Sequence, residues 1–417
     1  MQESPRFADS ESYQGEAVPI PNGPSALLVH LDKTARRLTT PWQICMIRVE
    51  LLRKCSLPEG VILDPACGAG LQVSALANAL KKDALAIELN QERAEMAAAN
   101  LARISAWLGN ENTGSVIIGD GTNSTPIIKL FENEKKISLF YFDPARPSGS
   151  TTHDLSEMRP LLNEVLDAWK THLNETDFGP AIVLDLSPRL SELRRSQVEE
   201  LIEERWPKIT KTWQWASRGS GRIDRLSLWL GAAADPQNER RFIRIPPSIH
   251  SEPLILGSGE HNFSNPIEDR TFPRKGDVLT MLDSALVSSG IASSWLKTVL
   301  QEDDEFQWQK VTGRRPIITH SEALSLEHPL DSKLIQASGR IVSLIRSPLE
   351  MEHLHNFVEK SIDAGIGKLT LRVSLNPELQ PVIQRELDIC LRRSGGTKTG
   401  FITRASEEDH LLLCIDE

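Results

Sequence analysis

Four carboxylates in the first part of the chain each close a run of apolar residues. They are Asp64 in VILDPACGAG, Glu88 in ALAIE, Asp120 in SVIIGD and Asp143 in ISLFYFD. Each run has the length and composition of a buried β-strand, and helical patterns separate the runs. The carboxyl ends of parallel strands meet at one edge of a sheet, where ligands bind in open α/β folds. We therefore predict that the four acids surround one cleft.

The loop from Asp64 to Gly70 follows the first of these strands and opens a helix. Gly68 and Gly70 permit left-handed backbone geometry and a close approach of a ligand to the main chain. The helix N-terminus favours a carboxylate or a phosphate, whereas Asp64 repels a pyrophosphate and pairs with an ammonium. S-adenosylmethionine (SAM) carries an ammonium and a carboxylate, so we predict that Asp64, Ala66, Gly68 and Gly70 contact it. A plain strand–turn–helix and a dinucleotide site are the weaker alternatives.

Glu88 and Asp120 complete the predicted cofactor site. Glu88 lies about twenty residues after Gly68, a spacing at which an acid can accept hydrogen bonds from both ribose hydroxyls. Asp120 can accept a hydrogen bond from the exocyclic amine of adenine, and Gly121 leaves room for the ring. Either acid alone could be a helix cap or an Asp-Gly turn. Three acids at three successive strand ends favour a shared ligand.

Together these residues resemble the class I SAM-dependent methyltransferases, over about residues 45–231. ILDPACGAG is similar to the first motif of that family, Glu88 to its ribose acid, Asp120 to its adenine-side acid and FDPARP to its fourth motif. The resemblance implies a Rossmann-like α/β fold with SAM as the cofactor. The residues that it places at the methyl acceptor are Asp143, Pro144 and Arg146.

The fourth motif departs from the family pattern of Asp, Asn or Ser followed by two prolines and an aromatic residue. Ala145 replaces the second proline, and Arg146 stands where the aromatic ring would stack on a base. The uracil-5 RNA methyltransferases carry a similar Asp-Pro-Pro-Arg, so we expect Arg146 to pair with a phosphate or to orient Asp143. Those enzymes need a cysteine after the fifth strand, where this chain has Ser187. We therefore predict transfer to a nitrogen, which needs an aligned lone pair in a desolvated site.

Composition limits the class of protein. The net charge of -10 weighs against a nucleic-acid binder, although basic clusters occur at 188–196, 217–225, 239–244 and 391–404. Five cysteines without C-x-x-C spacing argue against a zinc site or a disulfide framework. The chain has no apolar run of about 18 residues, and its polar, acidic N-terminus does not resemble a signal peptide. We predict a cytoplasmic protein without a metal ion or a membrane segment.

The pattern of strands and helices changes along the chain and predicts six segments. We expect the central segment to form a largely parallel sheet that ends in an antiparallel pair of strands. The stretch 277–300 is predicted to form two helices around Gly290. The six segments are a disordered N-terminus (1–24), N-terminal helices (25–60), a methyltransferase domain (61–231), a linker (232–270), a ferredoxin-like segment (271–337) and a THUMP-like domain (338–417).

The two C-terminal segments resemble those of a narrower group of bacterial and archaeal methyltransferases. That group appends a ferredoxin-like segment and a THUMP-like domain to the catalytic domain, which gives a C-terminal α+β region. THUMP domains in RNA-modifying enzymes bind structured RNA, so the resemblance implies an RNA partner that is recognised through shape and phosphates. The residues predicted to contact RNA are Arg189, Arg218, Arg222, Arg392, Arg393 and Lys398.

The sequence therefore predicts a SAM-dependent methyltransferase that acts on a base nitrogen of RNA, either tRNA or rRNA. Two alternatives stay open. One is an enzyme of the same fold that methylates a protein or a small molecule, which the acidic net charge favours. The other is a non-catalytic protein that binds RNA on this fold, which the acids at the strand ends disfavour.

Overall fold

The computed structural model describes residues 4–111, 114–131, 136–146, 153–258, 271–301, 305–405 and 410–417, apart from the side chains of Arg37 and Leu38. The chain divides into two compact units. Unit 1 consists of Met1–Ala216 and Asp224–Gly259, and unit 2 consists of Ser217–Ile223 and Glu260–Glu417. Within the described ranges, no helix combines the length and the apolar character that crossing a membrane requires.

Unit 1 alternates strands and helices over most of its length. Its strands are β1 Arg6–Phe7, β2 Ala17–Pro19, β3 Leu28–His30, β4 Val61–Asp64, β5 Ala84–Glu88, β6 Gly114–Ile118, β7 Ile137–Phe142, β8 Glu175–Thr176, β9 Gly179–Pro180, β10 Ile182–Leu186, β11 Lys211–Ser217, β12 Arg225–Leu230, β13 Arg240–Arg244 and β14 Leu254–Ser258. Its α-helices are α1 Ala35–Leu38, α2 Trp42–Leu52, α3 Leu71–Leu80, α4 Gln91–Trp107, α5 Ser124–Phe131, α6 Leu162–Trp169 and α7 Glu192–Glu203. Short 3-10 helices span Leu155–Glu157, Lys170–His172 and Gly231–Ala233.

Ten strands of unit 1 form one mixed sheet, in the order β1-β6-β5-β4-β7-β10-β12-β11-β13-β14. Strands β6, β5, β4, β7 and β10 are parallel, and β12 runs antiparallel to both β10 and β11. All residues of β4, β5, β7 and β10 are buried, as expected where both faces of a sheet are covered. The strand order reverses between β4 and β7, so the carboxyl ends of these strands form the topological switch point. The predicted α/β sheet is confirmed.

Two parts of unit 1 differ from the predicted segments. Within 1–24, predicted to be disordered, β1 pairs with the edge strand β6, and β2 pairs with β3. Within 232–258, predicted to be a linker, β13 and β14 extend the large sheet and bury Phe242 and Ile243. A free sheet edge can order short segments whose composition is polar, because it supplies their backbone hydrogen bonds. Residues 259–270 of the predicted linker lie outside the described residues.

Unit 2 contains a second sheet with helices. Its strands are β15 Val278–Leu282, β16 Gln307–Lys310, β17 Ile317–His320, β18 Ile335–Ile345, β19 Ile366–Leu371, β20 Lys398–Thr403 and β21 Leu411–Asp416. Its α-helices are α8 Ser284–Ser288, α9 Ala292–Val299, α10 Leu354–Asp363 and α11 Leu379–Arg392, and 3-10 helices span Asp331–Leu334 and Met351–His353. The strand order is β16-β17-β15-β18-β21-β20-β19, and only β19 and β20 pair in parallel among these described strands.

Unit 2 also departs from the sequence predictions. The first part of 277–300 is the buried strand β15, and the two predicted helices occupy only the rest of that stretch. The boundary predicted at 337/338 falls within β18, which pairs with β15 on one side and with β21 on the other. The two predicted C-terminal segments therefore share a single sheet.

Candidate active site

The loop after β4 turns at two glycines. Gly68 has a φ of +56° and Gly70 a φ of +75°, both in the left-handed region that favours glycine. A Cβ on Gly70 would lie 3.1 Å from the Cβ of Ala97, so the loop packs against α4 at this point. No described atom lies within 4 Å of the position that a Cβ on Gly68 would occupy. The backbone of Gly68 therefore faces open space at the start of α3, which leaves room for a ligand.

Asp64 ends β4 at the base of this loop. Its side chain is buried, and its Oδ1 accepts a hydrogen bond from the N–H of Ala66 at 3.1 Å. Burial raises the pKa of Asp64 well above its usual range, the Ala66 N–H opposes this shift, and the carboxylates of Asp143, Glu88 and Asp185 add to it. No described cation forms an ion pair with Asp64. A bound ammonium would therefore stabilise its ionised form.

Glu88 ends β5 and is hydrogen-bonded to two backbone segments. Its Oε2 accepts from the N–H of Gly68 at 3.2 Å, and its Oε1 accepts from the N–H of Asn90 at 3.0 Å. The guanidinium of Arg93 lies 3.7 Å from the same Oε1. Burial raises the pKa of Glu88, and the Asn90 N–H and Arg93 oppose the shift. Glu88 thus fixes the glycine loop relative to the start of α4.

The loop after β6 touches the loop after β4. A Cβ on Gly121 would lie 2.0 Å from the carbonyl oxygen of Pro65, so only glycine fits at this contact. The indole N–H of Trp169 donates to the carbonyl of Gly121 at 2.7 Å. The carboxylate of Asp120 accepts from the N–H and the hydroxyl of Thr122, at 2.9 and 2.7 Å. Asp120 therefore lies beside the glycine loop, with its carboxylate bonded within its own turn.

Replacing Gly121 by alanine should separate the two loops. The added methyl cannot fit against Pro65, so we expect Gly121→Ala to lower the free energy of unfolding by about 1–3 kcal/mol, the usual cost of overpacking. Gly119→Ala is the matched control, because its Cβ would make an ordinary contact 3.4 Å from Pro5. Thermal unfolding of the two variants measures the difference. Equal melting temperatures would contradict the contact between Gly121 and Pro65.

Asp143 follows β7 in a loop that a short backbone bridge holds in place. The N–H of Ala145 donates to the carbonyl of Arg159 at 3.1 Å, and the N–H of Arg159 donates to the carbonyl of Ala145 at 2.9 Å. Asp143 is half-buried and Pro144 is buried. The Asp143 carboxylate has no hydrogen-bond partner among the described residues. Burial, with a contribution from Asp185, raises its pKa to about 6.

These contacts bring most of the predicted site together. Glu88 and Asp143 both raise the pKa of Asp64, so both carboxylates lie within electrostatic reach of Asp64 at the switch point. Asp120 lies beside them through the contact of its loop with Pro65. This edge combines buried acids with an open backbone at Gly68, which can bind a cationic ligand.

One solved structure shares this fold over nearly the whole chain, and others are similar over about half of it. A crystal structure of a "putative methyltransferase" from Porphyromonas gingivalis W83 is 16% identical, covers 95% of this chain and 85% of its own, and gives a TM-score of 0.56. A precorrin-6y C5,15-methyltransferase from Geobacter metallireducens GS-15 is 13% identical over 51% of this chain and 98% of its own, with a TM-score of 0.34. An rRNA methylase from Streptococcus thermophilus is 14% identical over 45% of this chain and 94% of its own, with a TM-score of 0.30. No protein-family model and no curated protein sequence matches the chain.

The fold is that of a Rossmann-like methyltransferase with a second sheet domain. The Porphyromonas gingivalis protein carries this conclusion, because its similarity extends over nearly the whole chain. None of these comparisons confirms the predicted THUMP-like domain. In this region the structure describes the seven-stranded sheet of unit 2.

A buried hydrogen-bond network, which was not predicted from the sequence, lies beside Asp143. Arg48 on α2 places its NH2 group 2.5 Å from Asp185 on β10, and both side chains are 2% exposed. Its NH1 group donates to the hydroxyl of Tyr141 at 2.9 Å and to Oε1 of Gln72 at 2.8 Å. The Tyr141 hydroxyl donates to Asp185 at 2.9 Å. One feature of the sequence indicates such a network. Asp185 is a lone acid inside the apolar run IVLDL, and a buried carboxylate needs a partner.

The predicted RNA contacts fall into separate groups. Arg189 lies in unit 1, with its NH1 group 3.4 Å from Nε2 of His153, beyond the carboxyl end of β10. The other five, all in unit 2, are exposed: Arg218, Arg222, Arg392, Arg393 and Lys398. Arg146 is half-buried, and its Nε and NH2 atoms have no hydrogen-bond partner among the described residues.

Two further features bear on the kind of site. Within the described part of the chain, no group of three or more His, Cys, Asp or Glu side chains is placed to hold a metal ion. A shallow groove of about 430 Å³ borders the Asp143 loop rather than the glycine loop. The residues that line it include Leu155, Arg159, Leu162 and Leu201.

Proposed function

We propose that this protein transfers a methyl group from SAM to a nitrogen atom of an RNA base. The observation that carries the proposal is the meeting of Asp64, Glu88 and Asp143 at the switch point of the sheet, beside the open backbone of Gly68. Ligands of open α/β sheets bind at this place. The fold shared with the Porphyromonas gingivalis protein, which is named a putative methyltransferase, supports the methyl-transfer part of the proposal.

The residues at the glycine loop fit the parts of SAM. The buried Asp64 would pair with the ammonium, and the backbone at Gly68 and the N-terminus of α3 would take the carboxylate. Glu88 would accept from the ribose hydroxyls, and the Asp120 loop would border the adenine. SAM supplies a methyl group on a sulfonium, which is already activated for transfer.

Asp143 is the group that would touch the methyl acceptor. Its carboxylate is free of hydrogen bonds to described residues, so it can accept from a base amine and align the nitrogen lone pair with the methyl group. With a pKa of about 6, it is mostly ionised at pH 7.5 and can take the proton that the nitrogen loses as the new N–C bond forms.

Chemistry at a pyrimidine carbon is disfavoured. That reaction needs a nucleophile at the end of β10, where Ser187 lies. Ser187 is buried, and its Oγ is hydrogen-bonded to Nδ1 of His153 at 3.0 Å and to the N–H of Arg189 at 3.3 Å. Through these hydrogen bonds the Ser187 hydroxyl positions His153 and Arg189.

RNA as the acceptor is supported by cationic clusters that coexist with the acidic net charge. In unit 2, burial lowers the pKa of Arg315, and the neighbouring guanidinium groups of Arg372 and Arg314 lower it further. Arg372 also has a buried Nε without a hydrogen-bond partner in the described chain. An arginine that two neighbouring arginines repel favours a polyanion, because a phosphate backbone would relieve the repulsion.

Loss of the Asp64 charge should weaken SAM binding by at least about 30-fold. Truncating one partner of a buried charge pair typically costs 2 kcal/mol or more. Asp64→Asn keeps an oxygen that can accept from Ala66 but removes the charge that pairs with the ammonium. The exposed acid Glu111 provides the control variant Glu111→Gln. Titration calorimetry with SAM measures both, and equal affinities for Asp64→Asn and wild type would refute the assignment of this loop.

The acceptor class is tested by incubating the protein with methyl-labelled SAM and total cellular RNA. We expect the label to enter RNA and to become acid-soluble after ribonuclease treatment. Label that survives ribonuclease and remains with protein would identify a protein methyltransferase instead. If the protein binds SAM but labels neither polymer, the acceptor is not RNA.

A further inference from the structure

Arg146, His153 and Arg189 form a cluster next to Asp143. Arg146 belongs to the same loop as Asp143, after β7, and Arg189 follows β10, the parallel neighbour of β7. Parallel strands place such residues at the same sheet edge. The cluster therefore lies at the edge where the methyl acceptor is proposed to bind.

His153 and Arg189 are held in place by Ser187. His153 has a φ of +52°, an uncommon backbone conformation for a residue with a side chain. Its Nδ1 lies 3.0 Å from the Ser187 Oγ, and its Nε2 lies 3.4 Å from the NH1 group of Arg189. The guanidinium can only donate, so Nε2 is the acceptor and Nδ1 carries the proton. The imidazole is thus neutral and fixed, and one guanidinium is directed at it.

Arg146 brings unused hydrogen-bond donors to the cluster. Its Nε and NH2 atoms are buried without a hydrogen-bond partner among the described residues. No ion pair within 4 Å joins it to Asp143 in the described chain, so it does not clamp that carboxylate. A guanidinium with two unsatisfied donors fits an oxyanion, which can accept both hydrogen bonds.

Two guanidinium groups act on His153, and the acids Asp143 and Glu157 lie within electrostatic reach of Arg146. Arg189 and Arg146 both lower the pKa of His153, after the larger effect of burial, and Glu157 opposes them. The nearby acid Asp154 is already paired with Arg194 at 2.5 Å. Residues 147–152, which lie outside the described residues, contain no acidic residue. An arriving anion would therefore meet the guanidinium groups of Arg146 and Arg189.

We propose that Arg146 and Arg189 bind a backbone phosphate of the RNA, adjacent to the nucleotide whose base reaches Asp143, while His153 holds the Arg189 guanidinium in place. This inference rests on the proposed function and names the contact that fixes the acceptor nucleotide. Because Arg146 and Asp143 share one loop, phosphate and base are held by the same short segment. The distance from phosphate to base edge then sets which atom of the base meets the methyl group. Arg146 and Arg189 are specificity-determining residues in this arrangement.

The test measures the salt dependence of RNA affinity. A fluorescein-labelled 20-nucleotide RNA of mixed sequence is titrated with wild type, Arg189→Gln, Arg189→Lys and Lys54→Gln at several salt concentrations. Each lost phosphate contact reduces the slope of log Kd against log salt by about 0.7–0.9. We expect this loss in Arg189→Gln, with at least a fivefold weaker Kd at low salt. Arg189→Lys should keep the slope, and so should Lys54→Gln, which removes an exposed charge from α2's C-terminal side.

A second measurement separates this inference from the proposed function. SAM affinity by calorimetry should stay within twofold of wild type in Arg189→Gln and in Arg146→Gln, while the KM for RNA rises about tenfold. If wild type methylates RNA, both variants keep the wild-type KM and Arg189→Gln keeps the wild-type salt slope, the phosphate site is wrong and the proposed function stands. If wild type binds SAM but neither binds nor methylates RNA, the RNA function fails and the phosphate site fails with it.

Discussion

Replacing Arg48 by methionine should lower the free energy of unfolding by about 3–5 kcal/mol, the usual result of removing one partner from a buried ion pair. The variant leaves the carboxylate of Asp185 buried without its cation. It also removes the hydrogen bonds that Arg48 donates to Tyr141 and to Gln72. For a unit of this size, that loss corresponds to a melting temperature lower by on the order of 10 °C. Differential scanning calorimetry on the full chain measures it.

The matched control lies on the same stretch of chain. Arg53 pairs with Glu50 at 2.5 Å, the same distance as the buried pair, but the two side chains are 47% and 57% exposed. Exposed pairs contribute about 0–1 kcal/mol, so Arg53→Met should change the melting temperature by no more than a few degrees. The double variant Arg48→Met with Asp185→Leu should recover much of the loss, because no charge is then buried alone. A similar loss in both single variants would show that burial of the Arg48 pair has no special energetic role.

Asp143→Asn should lower methyl transfer and stabilise the fold. An asparagine cannot accept the proton and offers a weaker hydrogen bond to the base amine. A hydrogen bond to a charged group contributes about 1.5–3 kcal/mol, so we expect kcat/KM to fall by roughly 10- to 100-fold. The loss should appear in kcat, with SAM affinity by calorimetry near that of wild type.

The stability effect of the same substitution depends on pH. The folded-state pKa of Asp143 is about 6, above its ordinary 3.8, so the native state holds a proton that the unfolded chain has released between these values. Stability of the wild type therefore falls as pH rises through this window. The asparagine side chain does not ionise, so the variant should exceed wild type by up to roughly 3 kcal/mol above pH 6 and lose that advantage by pH 4. Melting temperatures from pH 4 to pH 8 measure this, and a constant difference would contradict the raised pKa.

The acids at the strand ends could be predicted because their placement follows from local patterns. Asp64 pairs in register with Ala86, and Glu88 with Ile118, so each apolar run ends at nearly the same level of the sheet. The direction of a parallel strand alone determines that its carboxyl end lies at that edge, whichever strand pairs with it. The glycine loop was likewise predictable, since Gly68 and Gly70 adopt the backbone angles that favour glycine.

The Arg48–Asp185 pair could not be predicted in the same way. The two residues are 137 positions apart, and no local pattern says which buried cation meets which buried acid. Their pairing depends on how α2 packs against the sheet. Tertiary packing also determines β15, because VLTML is apolar apart from Thr280 and its pattern fits a helix or a strand equally well. Its pairing with β17 and β18 makes it a strand.

The attachment of α2 to β10 through Arg48 links the evolution of two distant parts of the chain. A neutral residue at position 48 leaves an unpaired acid at 185, and a neutral residue at 185 leaves an unpaired guanidinium at 48. Natural variation should therefore change the two positions together, toward an apolar pair or a reversed pair. The segment before β4 is thus part of the folded core of unit 1, and a shorter version of the chain would have to keep it.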